Sequence, residues 1–572
     1  MTNVRSSAVD QADPLRYRAD EQVVEAPSPA WWQRGARWVP MVLVLGIQAY
    51  LSGRLFHLGT ASGDEARYIY AGHQLIHEFW HGGGSPYYET YFSGAPVIYP
   101  VLAAMADQFG GYIAVRLMSL VFMLTATTML FLATRRFWGY WGGLTAASLF
   151  AGLGLTQDLG ALATHDAISL MLMTVAAYFA VRTGPRESYA NWWLLAVPLT
   201  LFLANATKYA TLLFDPVVIG LAAVQVRSEG YGRVFQRIMT LGAATTLADI
   251  AAVVLAGSAY YHGIMFSTLN RKRGSDPIFA TMLGNSSVAS ARTIVSYTWV
   301  WTGAILVAAV LALVLAAASR RDREHVMLLG LLVVAGILVT LEGIHLHSVE
   351  SMRKHDDYGI WFTCIAAGYL PGRFAPRIAS LFSGRVLRRG VSALLVAVSL
   401  AISAMLGAHY SAGAVVTYEA KNQAANRVFY DYLKPFLRLP HGKFLIGGLD
   451  NEQIIYTDQV NVPWYRLFDD VYLKYPIPGR GGDSHGERIG KVCPAVRPGC
   501  MYLEGPQAYL AAIHAHWFAL ISMVGGHHDK QDAVIEQAVR STPGYVLLTT
   551  YDGAPTWIYS PDYVRTRHHV RA

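Results

Sequence analysis

MVLVLGIQAYLSGRLFHLGTASGDEARYIYAGHQLIHEFW, residues 41–80, sets an apolar run from Met41 to Tyr50 against a polar segment that opens on two adjacent acids, Asp64 and Glu65. The run is one of many, and Gly390 to Ala408 is another. The 572-residue chain is 53% hydrophobic and 15% charged, whereas ordinary soluble domains are about 25% charged. Its mean hydropathy is +0.30. These values exclude a disordered or fibrous chain and argue against a conventional soluble enzyme. Long apolar blocks separated by short polar ones are the pattern of repeated membrane spans.

Helices long enough to cross the hydrocarbon are expected at 39–57, 112–133, 139–156, 161–181, 191–205, 208–226, 238–262, 294–318, 326–342, 358–372 and 391–410, which makes about 11 transmembrane helices. Basic clusters test the arrangement. Arg34 with Arg37, Arg135 with Arg136, Arg182 with Arg186, Arg227 through Arg237, Arg320 through Arg323 and Arg373 through Arg389 all fall on one side, which is therefore assigned to the cytoplasm. The expected organisation is a cytoplasmic segment 1–38, a membrane body 39–410 with a long first outer loop 58–111, and an extracytoplasmic domain 411–572. Met1 to Trp38 is too long for the charged region of a signal peptide and no small-residue cleavage motif follows, so the first span is expected to stay as an anchor.

The net charge of +8 does not point to nucleic acid, because the lysines and arginines border spans instead of forming a basic stripe with interleaved aromatics. One basic loop, with Arg271, Lys272, Arg273 and Arg292, falls on the outer side. Either the charge rule holds only in aggregate, or these groups meet a phosphate at the outer leaflet. Residues 411–572 differ in character: charges are nearly balanced and turns are frequent. Phe444–Ile446 and Tyr545–Thr549 look like strands and Gln507–Val524 like a helix, which together suggest a small α/β domain. Cys493 and Cys500 suit one local disulfide, and Cys364 reads as a core residue.

The outer loops concentrate the polar chemistry. Tyr68 to Trp80 mixes apolar residues with His73, His77 and Glu78, as in a helix lying along the interface. Asp64 and Glu65 ahead of it are either solvated caps or contain a catalytic base. Thr164–His165–Asp166 opens the fourth span on the same side, where Asp166 is either a cap or a second working carboxylate. A divalent cation, Mg or Mn, held by Asp64, His165 and Asp166 is compatible with the residue types, but the set is incomplete and unselective. Lys208, in Asn205–Tyr209, needs a partner in so apolar a setting. A phosphate oxygen would serve, as would snorkelling to water. Arg353, Lys354 and His355 in the loop after the ninth span suit either anion contacts or a surface ion-pair network, with Arg67 a weaker phosphate contact. Asp249 stands inside a span. No metalloprotease spacing, glycine-rich nucleotide fingerprint or nucleophile elbow occurs.

Gly63–Asp64–Glu65 in a long first outer loop, His165–Asp166 opening a later span, and Thr207–Lys208–Tyr209, in that order, resemble the polyprenyl-phosphate-sugar-dependent GT-C glycosyltransferases. Among these the protein O-mannosyltransferases and the lipid A aminoarabinose transferases are the most similar groups. The resemblance covers residues 40–410 and rests on order and common sidedness, no single motif being specific. It implies a polytopic α-helical membrane protein of GT-C type. It makes Asp64 the catalytic aspartate, Asp166 the second acidic site and Glu65 a support residue or substitute base. Lys208 and Tyr209 would sit near the donor phosphate, as would Arg353, Lys354 and His355; His165 and the Arg271–Arg273 run are weaker contacts. The implied reaction is inverting transfer of a monosaccharide from a polyprenyl-phosphate donor to a hydroxyl or amine of a protein, lipid or polysaccharide in the cell envelope. The rival readings are a lipid or solute transporter and a GT-C enzyme that moves a longer glycan. A transporter should show related halves or helices broken at the midplane, and no internal repeat is evident.

Overall fold

The structure, a computed structural model, describes residues 38–57, 63–81, 88, 92–185, 187–267, 289–320, 322–347, 352–381, 384, 387, 390, 391, 393–410, 412, 413, 433, 436, 437, 442–447, 451–458, 462–470, 473–480, 491–523, 530–551 and 554–559. Residues 1–37, with nearly all of the expected cytoplasmic segment, and the basic run Arg271–Arg273 lie outside them.

Helix α1 (Val39–Gly53) buries Met41, Val44, Gln48, Leu51 and Ser52. That spacing is one face of a helix, and Gln48 on it accepts a hydrogen bond from Thr127 Oγ1 at 2.7 Å. Helix α2 (Gly63–His81) is amphipathic and begins with Asp64 and Glu65, where the positive end of the helix dipole favours acids. Helix α3 runs from Tyr99 to Gly152 with non-helical breaks at Gly110–Gly111 and at Gly139. At Gly139 the backbone φ is +76°, a left-handed value that glycine adopts without penalty. The chain reverses there: the Phe131 and Tyr140 rings meet at 6.0 Å, and a Cβ on Gly143 would stand 2.8 Å from the Phe131 carbonyl oxygen. The expected second and third spans are thus the two arms of one hairpin.

Helix α4 (Gly154–Ala161) and helix α5 (His165–Val181) meet at a 115° bend. There follow α6 (Ala190–Thr207), a 3₁₀ turn at Tyr209–Phe214, α7 (Asp215–Val224), α8 (Tyr231–Ala256), α9 (Ser258–Ser267), α10 (Ala291–Ala318), α11 (Val326–Leu346), α12 (Met352–Ala367) and α13 (Tyr369–Ser380). Helix α14 spans Ala393–Tyr410. Among the described residues, five helices are long and apolar enough to cross a membrane. The bent pair α4–α5 makes a sixth, and α1 and Tyr209–Val224 are shorter apolar helices. The chain is a multi-pass membrane protein. The helical core gathers side chains of α3, α5, α7, α10, α11 and α12, including Trp361 and Phe214.

The carboxyl-terminal region is α/β. Strand β1 (Lys443–Ile446), helix α15 (Asn451–Asp458) and strand β2 (Leu467–Asp469) are followed by three short strands, β3 (Tyr475–Pro476), β4 (Val492–Cys493) and β5 (Tyr502–Leu503). Helix α16 (Pro506–His514), β6 (Phe518–Ser522), α17 (Lys530–Ser541), β7 (Tyr545–Tyr551) and β8 (Ala554–Tyr559) complete it. The main sheet has the order β2-β1-β6-β8-β7, with β1 parallel to both β2 and β6 and the β7–β8 hairpin antiparallel. The expected helix Gln507–Val524 is in fact α16 plus β6. Every residue of β6 is buried, and a strand buried on both faces reads as a continuous apolar run that periodicity cannot separate from a buried helix. Cys493 and Cys500 are joined by a disulfide, and Cys364 is free and buried.

This domain grips α2. Ala66 packs with Phe444, Ile446 and Ile454, Tyr70 OH donates to the Leu467 carbonyl at 3.4 Å, and the Tyr70 and His73 rings stand 5.5 and 5.4 Å from that of Tyr456. The helix that carries Asp64 is therefore clamped between the α/β domain and the membrane body.

Candidate active site

The first turn of α2 points its two acids in different directions, because neighbouring residues on a helix are about 100° apart. Asp64 is half-exposed and accepts a charge-assisted hydrogen bond from Lys354 Nζ at the start of α12. The Lys354 ammonium holds the Asp64 carboxyl down at about 2, against the opposing pull of desolvation. Arg67 adds to the lowering, and Asp166 opposes it. Glu65 is fully buried. Arg116 donates from Nε at 2.8 Å to Oε1 and from Nη2 at 2.7 Å to Oε2, and the Ala163 amide donates to Oε1 at 2.7 Å. Arg116 Nη1 also donates to the Phe56 carbonyl. Glu65 and Arg116 thus tie together the end of α1, the start of α2, the hairpin α3 and the turn three residues ahead of Asp166.

The second acid lies in a closed compartment. Asp166, in the first turn of α5, forms an ion pair with Lys208 Nζ; the side chains are 1% and 6% exposed. Lys208 Nζ is also 3.1 Å from His165 Nε2, and that nitrogen lies 3.2 Å from Tyr68 OH and 3.3 Å from Ser93 Oγ. Lys208 occupies an extended position where α6 ends. It is held there by residues 93–95: Ala95 N donates to Ala206 O at 2.7 Å and Tyr209 N to Ser93 O at 2.9 Å. The two segments approach so closely that a Cβ on Gly94 would lie 1.9 Å from the Thr207 carbonyl oxygen, and only glycine fits. From α12, Tyr358 OH donates to the Asp166 carbonyl at 3.1 Å. His355 is buried and lies close enough, as does Lys354, to act on the Asp166 charge.

Asp64, His165, Asp166, Lys208, Lys354 and His355 are thus brought to one end of the bundle from widely separated segments. Tyr209 is buried with its ring edge-on to Tyr260 of α9 at 5.7 Å. Arg67 is half-buried near Asp64. The side chain of Arg353 and all of Arg271, Lys272 and Arg273 lie outside the described residues. Sequence reasoning passed over Arg116, Tyr68, Ser93 and Tyr358. Arg116 did carry a signal: an arginine inside an apolar span needs an anionic partner.

The proposed metal set of Asp64, His165 and Asp166 does not fit a cation. Each carboxylate already faces an ammonium group, and among the described residues no three His, Cys, Asp or Glu side chains stand where they could hold a metal ion.

Residues 94–256 match the family profile for dolichyl-phosphate-mannose-protein mannosyltransferase. The fold is similar to that of ArnT from Cupriavidus metallidurans in the apo state, at 13% identity and TM-score 0.56 over 92% of this chain and 99% of that one. The same enzyme bound to undecaprenyl phosphate gives 12% identity and TM-score 0.56, over 91% and 98%. An oligosaccharyltransferase from Archaeoglobus fulgidus reaches TM-score 0.46 at 13% identity over 76% of this chain and 65% of that one, too loose a likeness to carry topology. No curated protein sequence matches the chain.

Proposed function

We infer from the match of residues 94–256 to the dolichyl-phosphate-mannose-protein mannosyltransferase family and from the likeness of the fold to ArnT that this chain is a polyprenyl-phosphate-sugar-dependent glycosyltransferase of GT-C type, which transfers a single sugar with inversion. The donor would be a polyprenyl-phosphate monosaccharide and the acceptor a hydroxyl or amine of an envelope protein, lipid or polysaccharide. The site would open on the outer face, with the amino terminus in the cytoplasm, the α/β domain outside and eleven spans between.

The observation that supports this most directly is the meeting of two acid–lysine pairs at one end of the helical body, one half-open and one closed. In the reaction, Asp64 takes the proton of the acceptor group. The acceptor's lone pair forms a bond to the anomeric carbon while the bond from that carbon to the phosphate oxygen breaks. The electron pair goes to the phosphate, and positive charge there lowers the barrier. Lys354 and His355 would supply that charge, with Arg353 and the Arg271–Arg273 run as further phosphate contacts. Asp166, locked by Lys208, would orient the acceptor or the sugar through the polar rim around it. Glu65 and Arg116 are positioning residues. A lipid-tethered leaving group needs no nucleotide pocket, in keeping with the absence of such a fingerprint.

The test is incubation of purified protein with a panel of polyprenyl-phosphate monosaccharides and envelope acceptors, with products identified by mass. Addition of one sugar to one acceptor, lost in Asp64→Asn, is expected. Transfer only from longer lipid-linked glycans, or unimpaired turnover by Asp64→Asn, would overturn the reading.

A further inference from the structure

Lys354 stands between two anions that the reaction needs. One is Asp64, which its ammonium already engages. The other, on the donor reading above, is the phosphate of the lipid-linked sugar. The pair is on the open side of the site: the Lys354 side chain is 28% exposed and that of Asp64 43%. An incoming phosphate can therefore reach the ammonium without unpacking the core. Lys208 offers no such access, since it is committed to Asp166 and His165 with 6% of its side chain exposed.

We propose that Asp64 and the donor phosphate compete for Lys354, so that the donor unlocks Asp64 as it binds and must be seated before the acceptor is activated. A carboxylate paired with an ammonium is a weak base, and with no donor present Asp64 is in that state. When the donor's phosphodiester, a single negative charge shared by two free oxygens, draws the ammonium to itself, the carboxylate loses a share of its counter-ion and gains basicity as the leaving group arrives. The charge that grows on the phosphate as the sugar departs holds the ammonium there. Arg67, on the same helix, and Asp166, on α5, are the other charged groups acting on Asp64. They act with opposite signs, leaving Lys354 as the group that a ligand can move. The reverse effect follows from linkage: whatever Lys354 gives to Asp64 it withholds from phosphate.

The inference rests on the donor reading, and one experiment separates the two. Binding of undecaprenyl phosphate, with undecaprenol as the uncharged control, is measured for the wild type, Asp64→Asn, Lys354→Gln and the double variant. Elution and melting profiles check that each is folded. Asp64→Asn is expected to bind the phosphate about two- to fivefold more tightly, the scale of a half-exposed ion pair. Lys354→Gln should weaken binding about tenfold or more, because a charged partner of the phosphate is gone. In the double variant the gain from Asp64→Asn should vanish. Equal or weaker binding by Asp64→Asn, or a gain that persists without Lys354, would overturn the competition and leave the donor assignment standing. No preference of the wild type for undecaprenyl phosphate over undecaprenol would instead remove the donor assignment, and the competition with it. Lys354→Arg, which keeps the charge, covers the case in which Lys354→Gln fails to fold.

Discussion

Asp64 with Lys354 and Asp166 with Lys208 are the same two side chains in opposite surroundings. The first pair joins the starts of α2 and α12 and is partly open to solvent. The second joins α5 to the end of α6 and is walled in by His165, Tyr68, Ser93 and Tyr358. In the open pair, water and ligands compete for each charge, so the pair adds little stability and is easily exchanged. In the closed pair both charges are buried, and removing one leaves the other without the group that sits directly against it. The same chemistry thus yields a working contact in one place and a fixed part of the frame in the other.

The largest expected effects break this contrast from both sides. Asp64→Asn should lower transfer by about 10²–10⁴-fold, the usual contribution of a general base, with the melting temperature nearly unchanged. Product formation and thermal unfolding measured on the same sample check both halves. Lys208→Met should do the reverse in the first instance. It removes the cation in direct contact with buried Asp166, at about 3–5 kcal/mol of stability, so the fold should weaken before any kinetic effect is interpretable. A Lys208→Met protein that melts like the wild type would mean that the compartment is not closed. Arg116→Ala belongs with Lys208→Met: it leaves buried Glu65 with the Ala163 amide but without its counter-ion and should cost about as much. Glu65→Gln should be milder but not silent: its amide oxygen still accepts one N–H of Arg116, while its NH2 meets the second donor and the guanidinium loses its counter-ion. Its effect should fall on turnover more than on donor affinity if the strut serves to aim Asp64 and Asp166.

Much of the frame was readable beforehand, since apolar blocks and basic borders are local properties. The site was readable in part. Asp64, Asp166 and Lys208 stood out because acids and lysines next to spans are costly without a purpose, yet pairing is a long-range fact. Lys354 lies 290 residues from Asp64, and nothing in local spacing distinguishes it from a surface ion pair. The division between Asp64 and Glu65 was hidden as well: adjacent acids look equivalent until α3 brings Arg116 to one of them. The edge-on packing of Tyr209 against Tyr260 is likewise a contact that adjacency to Lys208 does not disclose. The α16–β6 junction was lost for another reason, a strand too apolar to show alternation.

Smaller effects sharpen the comparison. Lys354→Gln should change stability by no more than about 1 kcal/mol, several times less than Lys208→Met, while transfer falls because the phosphate loses a contact. The smallest effect is the acid response of the open pair. The folded-state value of Asp64 is about 2, below its ordinary 3.8, so in the unfolded chain this carboxyl takes up a proton at a higher pH than in the folded one. The stability from this pair is therefore complete above 3.8 and declines as pH falls through about 2. Exposure to water limits its size to about 1 kcal/mol or less. Melting curves at about pH 6 and about pH 3 should show the gap between wild type and Lys354→Gln narrowing at the lower pH. A gap that does not change over that interval would show that Lys354 stabilises the fold through its packing and not through Asp64, and the contrast between the two pairs would then lose its electrostatic basis.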